Sequence, residues 1–92
     1  MFYLICYDIV DDRRRAQVSH LLEGFGIRVQ KSVFEAAIDR NQYDKLQKKL
    51  SNLLDAKQDQ LRFYPLPANR RYRVKILGIQ PEFAIDDSVF IV

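Results

Sequence analysis

The segment Phe2-Tyr3-Leu4-Ile5-Cys6-Tyr7 constrains the fold of this chain more than any other. Each of its residues is apolar or aromatic, and the β-branched and aromatic content suits a strand. The run is apolar on its odd side (Tyr3, Ile5, Tyr7) and equally on its even side (Phe2, Leu4, Cys6). A strand of that kind is covered on both faces. It runs through Asp8, Ile9 and Val10 into an acidic turn, Asp11-Asp12, and then at once into Arg13-Arg14-Arg15. Asp8 therefore marks the point where a buried strand reaches solvent, with cations one turn further on. That junction reads as the functional centre, and the remaining chain as the scaffold that places it.

A length of 92 residues allows one domain with a single core and little to spare. Apolar residues at 48% and charged residues at 29% describe an ordinary globular chain, not a disordered one. No apolar run approaches the length of a membrane span. The first strand lacks the basic lead-in and small-residue cleavage site of a secretion signal, so it belongs to the fold. The single cysteine, Cys6, has no intrachain partner for a disulfide and suits a reducing interior, so a cytoplasmic location is expected. A net charge of +3 gives only a mild bias toward polyanions. The distribution says more: basic residues gather at Arg13 to Arg15, at Arg28 with Lys31, and at Arg70, Arg71, Arg73 and Lys75.

Asp11 or Asp12 can cap a helix running to about Phe25, with Val18, Leu21, Leu22 and Phe25 as its apolar stripe. On that helix Arg14 and Arg15 project within roughly 60° of the stripe and lean toward Asp8, whereas Arg13 points outward. Ile27 to Gln30 and Ser32 to Ile38 read as two short strands. Asn41 is a candidate cap for a second helix bearing Tyr43, Leu46, Leu50, Leu53 and Leu54 on one face, with Lys45, Lys48 and Lys49 on a solvated one. A polar loop leads to Leu61-Arg-Phe-Tyr-Pro-Leu, where Pro65 places the strand at an edge or terminus.

The order strand, helix, strand, strand, helix, strand predicts a ferredoxin-like α+β fold: a four-stranded antiparallel sheet with both helices on one face. That plan leaves the other face of the sheet bare, so a second copy of the chain is the economical cover, and a homodimer is expected. Tyr72-Arg-Val-Lys-Ile alternates in strand period, and Val89 to Val92 is a further apolar run. Neither is needed for the four-stranded sheet, and both suit addition to a partner's edge.

Much familiar chemistry is excluded. The one histidine, His20, lies on the polar face of the first helix, so a histidine-dependent triad has no base. There is no glycine-rich phosphate loop and no cysteine–histidine metal spacing. What remains is carboxylates beside arginines. Asp8, with Asp11 and Asp12, has the oxygen donors that a hard cation such as Mg²⁺ prefers, and a twofold axis would bring a second Asp8 alongside. A metal-bound water attacks phosphodiesters, and Arg14, Arg15, Arg28 and Lys31 are candidates to hold the phosphates. Equally, aspartates at such positions serve as turn and capping residues, and surface cations are often merely solvated. Tyr7 and Phe34 fit a core as readily as a base-stacking platform.

Tyr7-Asp8-Ile9 with Asp11-Asp12 and the arginine run, then Gly26-Ile-Arg-Val-Gln30-Lys-Ser32-Val33-Phe34-Glu35, then Asp59 leading into Leu61-Arg-Phe-Tyr-Pro-Leu, together resemble the small CRISPR-associated adaptation protein family. Its members are the non-integrase partner of the spacer-acquisition complex and are also described as CRISPR-associated endoribonucleases. The resemblance covers residues 2 to about 79, marking 1–79 as the nucleic-acid-binding and nuclease domain and 80–92 as a partner-docking tail. It implies a ferredoxin-like homodimer whose C-terminal strand pairs with the other protomer. It further implies metal-dependent cleavage of single-stranded RNA or double-stranded DNA, with Asp8 as the Mg²⁺ ligand from each subunit and Tyr7, Arg15, Arg28 and Phe34 as further family positions. A basic residue usual two places after the arginine is Gln17 here, a departure from the pattern. The family's other implied role is architectural, bridging integrase dimers along duplex DNA. A ferredoxin-like regulatory module with no catalysis is the alternative outside the family.

Overall fold

The computed structural model describes residues 1–79. They form β1 (Phe2–Asp8), α1 (Asp12–Glu23), β2 (Ile27–Gln30), β3 (Val33–Ala37), α2 (Arg40–Leu53) and β4 (Gln60–Leu66), followed by a 3₁₀ helix over Ala68–Arg73. The sheet order is β2-β3-β1-β4 with every pair antiparallel. The doubly apolar strand is thus a central one, and β4, which carries Pro65, is an edge as expected.

The register explains the core. Ile5 stands between Phe34 and Phe63, and Tyr3 between Ala36 and Pro65, so the odd side of β1 faces the helices. Val18 and Leu22 of α1 and Leu46 and Leu50 of α2 close over that face, joined by half-buried Leu21, Phe25 and Tyr43. Tyr43 stacks on Tyr3 at 4.5 Å and meets Phe63 edge-on at 5.1 Å. Each fully buried aliphatic or phenyl side chain here contributes about 1.5–3 kcal/mol by leaving water.

Both helices are capped by aspartates. The Asp11 carboxylate accepts from the Arg14 amide at 2.8 Å. α1 stops at Glu23, short of the expected Phe25, because the amides of Phe25 and Gly26 turn back to the Leu22 carbonyl. Gly26 is required by a close approach: a Cβ there would sit 2.9 Å from the carbonyl carbon of Glu35 and 3.0 Å from the Cα of Ala36. For α2 the cap is Asp39, not Asn41. Asp39 and Gln42 exchange side-chain and backbone hydrogen bonds as a capping box, which places Asn41 inside the first turn.

The even side of β1 faces away from the helices, but it is less bare than the element order predicts. Phe2 is buried, with the Arg71 guanidinium 4.3 Å from its ring centre. Leu4 and Cys6 form a groove with Val33 and Glu35, whose other wall is the chain's own Val74 and Ile76. Burial there pushes the Glu35 carboxyl up, and the charge of Arg71 opposes the shift. Residues 72–76 are not a strand: Tyr72 and Arg73 finish the 3₁₀ helix and the segment after it is irregular. After Pro67 that helix turns the chain back over the sheet, so the alternating residues have no strand to pair with. Leu77 and Ile79 remain exposed. The apolar run Val89 to Val92 lies outside the described residues. Among the described residues no helix is long and apolar enough to cross a membrane.

Candidate functional site

Asp8 is the last residue of β1 and stands opposite Gln60 of β4. Its alternation places it on the helix-free side, and it is exposed. Among the described residues no donor reaches its carboxylate. It opens into a concavity whose walls include Tyr7, Asp12, Arg15, Arg28 and Lys31. Six residues singled out in the sequence, Tyr7, Asp8, Asp12, Arg15, Arg28 and Lys31, are therefore brought together although they come from β1, α1, β2 and the β2–β3 turn.

The two arginines are braced. One Nη of Arg15 donates to the carbonyl of Ile9 at 2.8 Å, and the other pairs with Asp12 one helical turn away. Arg28 donates to the Lys31 carbonyl at 3.4 Å and to the Ser19 hydroxyl on α1. Its guanidinium also lies 5.4 Å from the centre of the Phe34 ring. Phe34 itself is wholly buried, so it acts as the floor under Arg28 and cannot offer a stacking face to a base. Tyr7 packs against Phe34 at 6.3 Å and directs its hydroxyl to the Lys31 carbonyl at 3.5 Å. A guanidinium held by protein on two sides and open on the third is suited to phosphate oxygens, since little side-chain freedom is left to lose.

Arg14 is elsewhere. Its Nε and Nη2 donate to Asp59 at 2.5 and 3.0 Å, and it does not line the concavity that holds Asp8. The expected lean toward the strand end is present, but the carboxylate it meets is Asp59, whose side chain is shut off from solvent. Hydrogen bonds from Arg14, with further ones from the amides of Asp55 and Val10, hold the Asp59 carboxyl down to about 2. Arg14 is thus held in a pair with Asp59, apart from Arg15, Arg28 and Lys31, with which the sequence grouped it. Gln17 is exposed and does not line the concavity either.

For a hard cation the donor type is right and the number is not. Among the described residues Asp8 offers a carboxylate with no partner, Asp12 is engaged by Arg15, and no group of three metal-ligating side chains exists. One protomer supplies half of a Mg²⁺ site at most.

Ser19 escaped sequence reasoning, and Asp59 entered it only as a motif residue, without its role. Ser19 reads as an ordinary helix residue, and only its i, i+4 distance from the half-buried Arg15 side of α1 hints that it faces inward. Asp59 reads as a loop aspartate, because its partners Val10 and Arg14 are 49 and 45 residues away.

A family model described as CRISPR associated protein Cas2 matches residues 1–74. A CRISPR-associated endoribonuclease Cas2 of Synechocystis is 47% identical over 79 residues, which is 86% of each chain. The crystal structure of Streptococcus pyogenes Cas2 at pH 6.5 superposes with a TM-score of 0.76 at 34% identity, over 85% of this chain and 100% of that one. A chain of a partial Cas6-RT-Cas1–Cas2 complex superposes at 0.72 with 29% identity, over 91% and 97%.

Proposed function

This chain belongs to the CRISPR-associated Cas2 family, and from that premise we propose that it acts as a homodimer in spacer acquisition, binding duplex DNA and joining it to the integrase. Within the same reading it is a Mg²⁺-dependent endonuclease, with Asp8 of each protomer holding the metal and single-stranded RNA or double-stranded DNA as substrate. The observation that carries this is the exposed Asp8 carboxylate at a strand end, beside two braced guanidiniums and Lys31. Relatives named as endoribonuclease and as endonuclease, and a solved assembly whose title joins Cas1 to Cas2, support the activity and the partner.

Bound Mg²⁺ supplies Lewis acidity toward a phosphoryl oxygen and an acidified water. The chain's own residues do the rest. Arg15 and Arg28 grip phosphate oxygens flanking the scissile bond, and Lys31 adds a mobile point charge. Without a metal the three cations of the concavity are matched by Asp8, Asp12 and Glu23, so Asp8 repels a phosphate until a cation neutralises it. Residues 1–79 form the working domain and residues 80–92 the segment that docks the integrase.

Asp8→Asn tests the reading. Mg²⁺-dependent cleavage falls to background while the fold, measured by circular dichroism, and duplex binding, measured by filter retention, persist. Full cleavage by this variant would refute the role of Asp8. Spacer acquisition that survives the substitution would make the bridging role the working one.

A further inference from the structure

One side chain outside the concavity, Asp59, is bonded where the Asp8 end of β1 meets α1. Asp59 is the residue before Gln60, and Gln60 is the β4 residue paired with Asp8. Its Oδ1 accepts from the Val10 amide at 3.2 Å and from Arg14 Nη2 at 3.0 Å. Its Oδ2 accepts from Arg14 Nε at 2.5 Å and from the Asp55 amide at 2.9 Å. One carboxylate thus ties together the turn after β1, the first turn of α1 and the loop before β4. Both of its oxygens are in use and its side chain is inaccessible to water.

The consequences reach the site in two short steps. Val10 lies two residues after Asp8, so fixing the Val10 amide fixes the direction in which β1 leaves the sheet. Arg14 precedes Arg15, whose guanidinium holds the Ile9 carbonyl from the concavity side. The turn is therefore gripped from opposite sides, by Asp59 at Val10 and by Arg15 at Ile9. With the first grip released, Arg15 still holds the Ile9 carbonyl, but that one hold no longer sets how Asp8 is turned about it.

Resting on the function proposed above, we propose that Asp59 is the positioning residue for the metal-binding and phosphate-binding groups of this site, acting through the Val10 amide and Arg14. It touches neither substrate nor metal. It adds a second hold to the one Arg15 makes at Ile9, and the two together set the geometry of Asp8 relative to Arg15.

The test uses the full chain with Asp59→Asn, Arg14→Lys and Asp59→Glu, reading amide hydrogen exchange and Mn²⁺ binding. In Asp59→Asn, exchange at Val10 speeds up by about tenfold or more relative to strand-centre amides such as Ile5, the size set by losing a charged hydrogen bond. Mn²⁺ affinity falls several-fold with it. Arg14→Lys loses the two-point hold on the carboxylate but leaves the Val10–Asp59 bond, so Val10 exchange rises by less than in Asp59→Asn, and an equal rise would overturn the route through the Val10 amide. Should Asp59→Asn fail to fold, Asp59→Glu makes the same comparison, with the charge kept and the carboxylate displaced by one methylene. Equal acceleration at Val10 and Ile5 in the folded variant would mean a purely global role and overturn the proposal, as would unchanged Mn²⁺ affinity alongside a loosened Val10. Absence of Mn²⁺ binding in the parent chain would instead overturn the function proposed for Asp8, while the exchange comparison would still report on Asp59.

Discussion

Replacing Gly26 with alanine puts the packing between the α1–β2 link and β3 to a sharp test. The added Cβ would lie 2.9 Å from the Glu35 carbonyl carbon and 3.0 Å from the Ala36 Cα, against ordinary contacts of 3.4 to 4 Å. Both obstacles are backbone, and both residues are paired with β1, Glu35 with Leu4 and Ala36 with Tyr3. Neither can rotate aside as a flexible side chain would. The strand that gives way is therefore β2, a four-residue edge strand with a bulge between Arg28 and Gln30. Overpacking ordinarily costs about 1–3 kcal/mol, and a clash with fixed backbone belongs at about 3 kcal/mol. In a domain of this size that lowers the melting temperature by roughly 12–24 °C.

The control is Gly24→Ala. Its Cβ would meet only the Leu21 carbonyl oxygen, at an ordinary 3.4 Å, and Gly24 has helical dihedrals. The reduced freedom of the unfolded chain should leave that variant at parity or more stable by about 0.4–1 kcal/mol. Thermal unfolding followed by circular dichroism, with a guanidinium titration as a check, measures both. Gly26→Ala melting within about 3 °C of the parent would refute the close approach and the argument for glycine at that position.

Acid should loosen the clamp at the end of β1. The Asp59 carboxyl is held down to about 2 in the folded chain against an ordinary 3.8, so its contribution to stability is complete above about pH 4 and disappears as pH falls toward 2. Denaturation titrations of Asp59→Asn should therefore show a flatter slope over that interval than the parent, and identical slopes would count against the bond set drawn here. Phosphate contacts through Arg15, Arg28 and Lys31 should appear in salt dependence. Each charge removed, as in Arg28→Gln, should lower the steepness of log affinity against log salt by about 0.9 per contact with duplex DNA, and an unchanged slope would remove that residue from the interface.

Local periodicity made much of this fold readable. The apolar stripe of α1 and that of α2 each needed only neighbours within two turns, and β1 announced itself by being apolar on both sides. Failures came where local signals competed or where the deciding partner was remote. Asp39 and Asn41 both suit a cap, and only the Gln42 that closes the box with Asp39 decides between them. Residues 72–76 alternate as a strand does, yet the 3₁₀ helix after Pro67 sends them across the sheet face. Arg14 was correctly turned toward the strand end, but its carboxylate comes from the loop before β4 and leaves no trace near position 14. That Arg15, Arg28 and Lys31 share a concavity with Asp8 was expected from the two basic clusters they belong to. Ser19 was not, and Asp59 showed only as a motif residue, because the role of each is defined by the groups it holds.

The alternation of β1 ties the proposed dimer to the proposed metal site. Leu4, Cys6 and Asp8 lie on the same side of the strand, the side that carries no helix. The segment through Val74 and Ile76 walls the groove over Leu4 and Cys6 but does not line the concavity at Asp8. A second copy laid against this side at the Asp8 end covers the remaining apolar surface and delivers the missing carboxylate in one move. A dimer formed through the helices would do neither, because the helix face of the sheet is already filled by Val18, Leu22, Leu46 and Leu50. The same strand that demands cover on both faces thereby points the proposed dimer to this surface, and a half-site of one aspartate is what the proposed pairing would complete.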